Sequence, residues 1–88
     1  MLRITASETK TLVTLRLEGR IAADWVAELR NECQRRLNGR RRLRLDFQHV
    51  TFVDRSGALM LQELACEQLR IVNCPTLVRE SLETVRPD

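Results

Sequence analysis

The chain has 88 residues, 43 % of them hydrophobic and 31 % charged, with a net charge of +3. That length makes one small domain, 1–88, with a single thin core of the kind that often relies on a partner. No apolar run approaches the roughly 20 residues that span a bilayer, and Met1-Leu2-Arg3-Ile4-Thr5 has no secretory h-region. Direct membrane insertion is therefore not expected, and the cytoplasm is the expected location.

Leu2 and Ile4 alternate with polar neighbours and predict a first strand over about residues 2–7. Glu8-Thr9-Lys10 turns the chain. Leu12, Val13, Leu15 and Leu17 make a second strand, closed by Gly19. Two short strands so closely connected read as an antiparallel hairpin. From Ala22 the period changes. Ala22, Val26, Leu29, Cys33 and Leu37 line one face of a helix. Asn38-Gly39 is its stop signal, and Arg35 and Arg36 suit the negative end of its dipole.

Leu43, Leu45 and Phe47 alternate with Arg44 and Asp46 as a third strand. Gln48-His49 reads as a loop before Val50-Thr51-Phe52-Val53. A helix is expected from near Ser56, apolar around much of its girth through Ala58, Leu59, Met60, Leu61, Leu64 and Ala65, and hence well buried. Leu69-Arg70-Ile71-Val72 is a fourth strand. Pro75 opens a last helix at a position where its missing N–H is harmless, with Leu77, Val78, Leu82 and Val85 facing inward and Pro87 ending regular structure. The order ββαβαβα predicts an α/β fold: a small mixed four-stranded sheet with helices packed against it and parallel crossovers after the hairpin.

Cys33, Cys66 and Cys74 have no CxxC spacing and fall in apolar patterns, so they read as small buried hydrophobes. With one histidine, His49, no metal site is expected. Arg35, Arg36, Arg40, Arg41, Arg42 and Arg44 form a basic cluster, but aromatics do not interleave with it. Base stacking lacks its platform, which argues against a nucleic-acid partner and for a solvated helix end and loop. Gly19, Gly39 and Gly57 are too scattered to cradle phosphate, so no nucleotide or other cofactor is expected. His49, Asp46, Asp54 and Ser56 are the residue types of a hydrolytic site. Ser56, however, has no nucleophile-elbow context, so the chain does not read as an enzyme.

Asp54-Arg55-Ser56-Gly57 stands where an apolar strand hands over to an apolar helix. Unpaired N–H groups and the positive dipole end gather there. Asp54 or Ser56 can cap them, and Gly57 permits close approach of another backbone. Loops at the carboxyl ends of strands in open α/β sheets are also where partners bind.

"LRLDFQHVTFVDRSGALMLQEL" resembles the central signature of STAS domains, the anti-sigma factor antagonist family: an alternating strand, a short loop, then Asp-Ser/Thr-Ser-Gly and an apolar helix. "TLRLEGRIAADWVAELRNEC" and "LRIVNCPTLVRESLETV" are similar to the family's first strand–helix and last strand–helix elements. The resemblance implies a protein-interaction module in bacterial transcription regulation. Such a module binds an anti-sigma factor, often a kinase, until the hydroxyl residue after the motif's Asp is phosphorylated. Here Asp54, Ser56 and Gly57 match the motif, while Arg55 occupies the acceptor position and cannot take a phosphate from a Ser/Thr kinase. The family often has an acid at the position of Ala22, for which Asp24 is the nearby candidate.

Three readings follow. Ser56 takes the phosphate; or the domain binds an acidic partner without a switch; or it is the cytoplasmic STAS accessory subunit of a phospholipid-trafficking ABC transporter. The implied partner surface is Asp54, Arg55, Ser56 and Gly57, with Arg20, Asp24 and Trp25. Trp25 serves equally well as an interface anchor or as packing at a helix start.

Overall fold

In a computed structural model, residues 1–37 and 41–85 are described. Their elements run β1 (Leu2–Glu8), β2 (Leu12–Ile21), α1 (Asp24–Leu37), β3 (Arg42–Val53), α2 (Arg55–Leu64), β4 (Leu69–Val72) and α3 (Thr76–Thr84). The strands form one sheet in the order β1-β2-β3-β4. β1 and β2 are an antiparallel hairpin, whereas β2–β3 and β3–β4 pair in parallel across helical crossovers. This is the ββαβαβα architecture that the hydrophobic periodicity predicts.

The sheet is covered on one side. Val13, Leu15, Leu17 and Ile21 of β2 and Leu43, Leu45, Phe47, Val50 and Val53 of β3 are buried toward the helices. Leu29 and Cys33 of α1, Ala58, Met60 and Leu61 of α2, and Val78 of α3 complete the core. Burying such side chains is worth about 1.5–3 kcal/mol each for the larger ones, and these side chains supply most of the folding drive. Arg30 of α1 pairs with Glu63 of α2, and Gln62 Nε2 donates to the Val85 carbonyl at 2.6 Å beyond the end of α3. The opposite face carries Thr14, Arg16, Arg44, Asp46 and Arg70, none of them buried. Among the described residues no helix is long and apolar enough to cross a membrane.

Several local expectations are corrected. β2 does not close at Gly19 but continues to Ile21, because Gly19 takes φ +109° and passes the strand through an irregularity. A Cβ there would stand 2.4 Å from the Met1 carbonyl oxygen. Gln48 and His49 are not a loop. They lie inside the continuous strand β3, at a register shift against Arg16–Glu18 that absorbs the three-residue spacing between Phe47 and Val50. α1 begins at Asp24, after Ala22 and Ala23, and Pro75 is the N-cap of α3 rather than its first helical residue.

Four side chains also turn out differently. Leu77 is 78 % exposed, and Val78 alone of that pair faces inward. Ala65 is exposed as the C-cap of α2. Cys33 is buried as expected, but Cys66 is exposed beyond the end of α2 and Cys74 is half-buried. The Asn38-Gly39 stop, Arg40 and Pro87 lie outside the described residues.

Candidate docking pole at the ends of the central strands

β2 and β3 end side by side, with Ile21 opposite Val53, and the chain leaves both at one pole of the sheet. Asp54 is the residue between β3 and α2. Its extended backbone (φ −81°, ψ 175°) makes it the N-cap of α2. One carboxylate oxygen, Oδ1, accepts the Gly57 amide at 2.7 Å and the Ser56 hydroxyl at 2.8 Å. The other, Oδ2, accepts the Ala23 amide at 3.0 Å from the opposite loop. The Asp54 amide donates to the Ile21 carbonyl at 3.0 Å. One residue thus caps a helix and ties together the two strand exits.

Burial by itself raises the Asp54 carboxyl. The hydrogen bonds from Ala23, Gly57 and Ser56 outweigh it and hold the group below the usual carboxylate range. Asp54 is therefore an anion at neutral pH. Ala23 takes φ +55°, a left-handed conformation that is costly for alanine, and this points its amide at Asp54. Gly57 is favoured by space rather than by φ: a Cβ there would meet Ile21 Cγ2 and the Ile21 carbonyl oxygen at 3.0 Å, and Val53 Cγ1 at 3.1 Å. α2 consequently sits hard against the ends of both central strands.

The surface of this pole is mixed. Ser56 and Arg55 are exposed in the first turn of α2, and Asp24 is exposed at the start of α1. Arg20 lies over the ring of Phe52, its register partner, with its guanidinium carbon 4.8 Å from the centroid. Phe52 is 42 % exposed. It was legible only as part of an apolar run. Its position between exposed Thr51 and buried Val53 is the signal that would have set it apart.

The structure brings Asp54, Ser56 and Gly57 together and sets Arg20 on the same strand ends. It takes Trp25 elsewhere. That indole, 38 % exposed, lines a cleft between α1 and β1 with Leu2, Ile4 and Ala6. The hydrolytic residue types fall into two separate pairs, Asp46 with His49 on β3 and Asp54 with Ser56 at the start of α2. Asp46 Oδ1 accepts the Gln48 amide at 3.0 Å and the Asn73 side chain at 3.2 Å, and His49 is exposed on β3. Among the described residues no group of three or more His, Cys, Asp or Glu could hold a metal ion.

A mixed sheet with helices on one face and an Asp-x-Ser-Gly turn capping the second helix defines a STAS-type domain. The family model described as "Mlab, STAS domain" matches residues 4–88, and the chain belongs to that family. No curated protein sequence matches it. Among solved structures it is similar to the anti-sigma factor antagonist SpoIIAA in its unphosphorylated form: TM-score 0.71, 22 % identity, 92 % of this chain and 78 % of that one. It is also similar to an anti-sigma factor antagonist STAS domain from Rhodobacter sphaeroides, with TM-score 0.64, 15 % identity, and 98 % and 96 % covered. The structure of Mglu shares the fold at TM-score 0.72 and 16 % identity, over 84 % of this chain and 20 % of that one.

Proposed function

We propose that the chain is a single-domain, non-catalytic interaction module of the anti-sigma factor antagonist type, which acts in the cytoplasm on an anti-sigma factor or kinase-type regulatory protein. The observation that carries this reading is the Asp54 pin. It holds the first turn of α2, with Arg55 and Ser56 exposed, in a fixed relation to the exit of β2. A rigid, exposed turn costs little further ordering on binding. The exposed Phe52 ring beneath Arg20 adds an aromatic anchor of the kind enriched in interfaces. The placement of His49 with Asp46 on β3, and of Ser56 with Asp54 at the start of α2, supports a binding role over a hydrolytic one.

Ser56 is the candidate phosphoacceptor of this surface. Its hydroxyl is exposed and donates to Asp54. A phosphate there adds close to two negative charges beside the Asp54 carboxylate and at the helix N-terminus. A second reading is favoured by Arg55 at the usual acceptor position: a constitutive interface, as in a STAS accessory subunit of a phospholipid-trafficking ABC transporter.

Capture of partners from the source cell by the tagged chain, with identification by mass, separates the two. An ATP-binding anti-sigma kinase supports the antagonist, and transporter subunits support the accessory subunit. With the captured partner in hand, Arg55→Glu is expected to weaken binding about tenfold or more. An unchanged affinity overturns the assignment of this pole as the interface.

A further inference from the structure

The basic cluster of the sequence does not stay together in the fold. Arg35 and Arg36 pair with Glu32, and Arg36 and Arg41 approach Glu8 at 4.0 and 3.7 Å. Arg42 and Arg44 part from them. They alternate with the buried Leu43 and Leu45, so both project from the face of the sheet that no helix covers. Arg70 of β4 is the register partner of Arg44 and joins them from the neighbouring strand.

These three arginines line a groove of about 670 Å³ together with Thr11, Leu12 and Glu67. The volume is in the range of small-ligand sites. Glu67 is one acid against three bases, and among the described residues no carboxylate lies within ion-pair distance of Arg42, Arg44 or Arg70. Arg44 Nε donates to Thr14 Oγ1 at 3.3 Å, which steers its guanidinium along the sheet. Like charges directly opposite on adjacent strands, as Arg44 and Arg70 are, cost stability unless something neutralises them. The groove lies at the entry ends of β2, β3 and β4, roughly 30 Å along β3 from Val53 and the Asp54 pole.

We propose that Arg42, Arg44 and Arg70 form an anion site for a small soluble ligand carrying phosphate groups. Arginine forks match phosphate oxygens in pairs, and three forks on two adjacent strands suit a ligand with more than one phosphate. The surroundings choose among phosphate sources. None of the exposed large hydrophobics, Met1, Trp25, Phe52 and Leu77, lines the groove, so a bilayer would find charge but no apolar anchor there. No aromatic lines it either, so nucleic-acid bases would have nothing to stack on.

The test is a titration of the whole chain with inorganic pyrophosphate, followed by backbone amide shifts and by thermal melting. Shifts confined to residues around 11–12, 42–44 and 67–70, and a raised melting temperature, are expected. The double variant R44Q/R70Q should weaken binding about tenfold or more while melting no lower than the parent without ligand, since it removes a like-charge pair. Arg35→Gln should leave binding unchanged. Equal losses in Arg35→Gln, or shifts spread over every arginine, overturn the site. So does a silent groove in pyrophosphate together with R44Q/R70Q-sensitive retention on phosphatidylglycerol vesicles, or on duplex DNA, which would reassign it to a lipid surface or a nucleic acid.

Discussion

The carboxylate of Asp54 accepts the backbone amide of Ala23 at 3.0 Å across 31 positions of sequence, while its other oxygen caps α2. Two loops that leave adjacent parallel strands are thereby held by a single side chain. Replacing Asp54 by alanine removes the cap and strands the Ala23 amide in its left-handed conformation. We expect a loss of about 2 kcal/mol, which for a chain of this size lowers the melting temperature by roughly 10 °C. An unchanged thermal melt would show that the tie does not exist in solution.

Acid should weaken the fold through two carboxylates. Asp54 is held low as described. Asp46 is held below its usual range by the Gln48 amide first, against partial desolvation, with help from Asn73, Arg16 and His49. Depressed folded-state values mean that the unfolded chain takes up protons first as pH falls. The stabilisation is complete above the unfolded value of about 3.9 and is lost as pH drops through the folded values. Urea unfolding from pH 6 down to pH 2 should show this fall, and the double variant D46N/D54N should show a flatter one. Equal slopes in the two proteins would count against both assignments.

Gly57→Ala puts a methyl group 3.0–3.1 Å from Ile21 and Val53, so these neighbours must shift by a few tenths of an ångström to receive it. Overpacking of this kind costs about 1–3 kcal/mol. The expected signature is a lower urea midpoint with amide shifts at Ile21, Val53 and Asp54. A variant as stable as the parent would mean that α2 can move off the strand ends.

The three cysteines should separate by reactivity. Burial pushes the Cys33 thiol up to about 12, aided by Glu32 and opposed by Arg36, and it also raises Cys74. The thiolate is the reactive species, so Cys33 should be inert in the folded protein. Timed maleimide labelling read by peptide mass should find exposed Cys66 first, then Cys74, with Cys33 labelled only under denaturant. Early labelling of Cys33 would contradict the packing of α1.

The sequence carries the fold in its periodicities, and these fail at identifiable places. The alternation of β3 breaks between Phe47 and Val50, which reads as a loop until the partner strand is known. The irregularity opposite Arg16–Glu18 restores the inward face. Likewise Gly19 looks like an end, because its backbone is special, but it is a passage within β2. Leu77 and Val78 are adjacent and both apolar, so only the docking of α3 decides which of them is inside. At the candidate pole, the capping role of Asp54 and the tight fit of Gly57 follow from local chemistry. The Ala23 bond, the Arg20–Phe52 stack and the withdrawal of Trp25 to the β1 side depend on tertiary proximity, which no local pattern encodes.

The strand order also governs how the chain assembles. The β1–β2 hairpin is local and can close within microseconds, yet it supplies only an edge of the sheet. The central seam joins strands whose partners, such as Thr14 and Arg44, lie 30 positions apart, so the α1 crossover must be closed before that pairing gains anything. Early contacts thus form at the margin and late ones at the centre. The Asp54 latch belongs to the late set, because the two strand exits it joins meet only after β2 and β3 have zipped. A nascent chain would accordingly acquire this candidate docking pole as one of the last events of folding, and an incompletely folded copy would not present it.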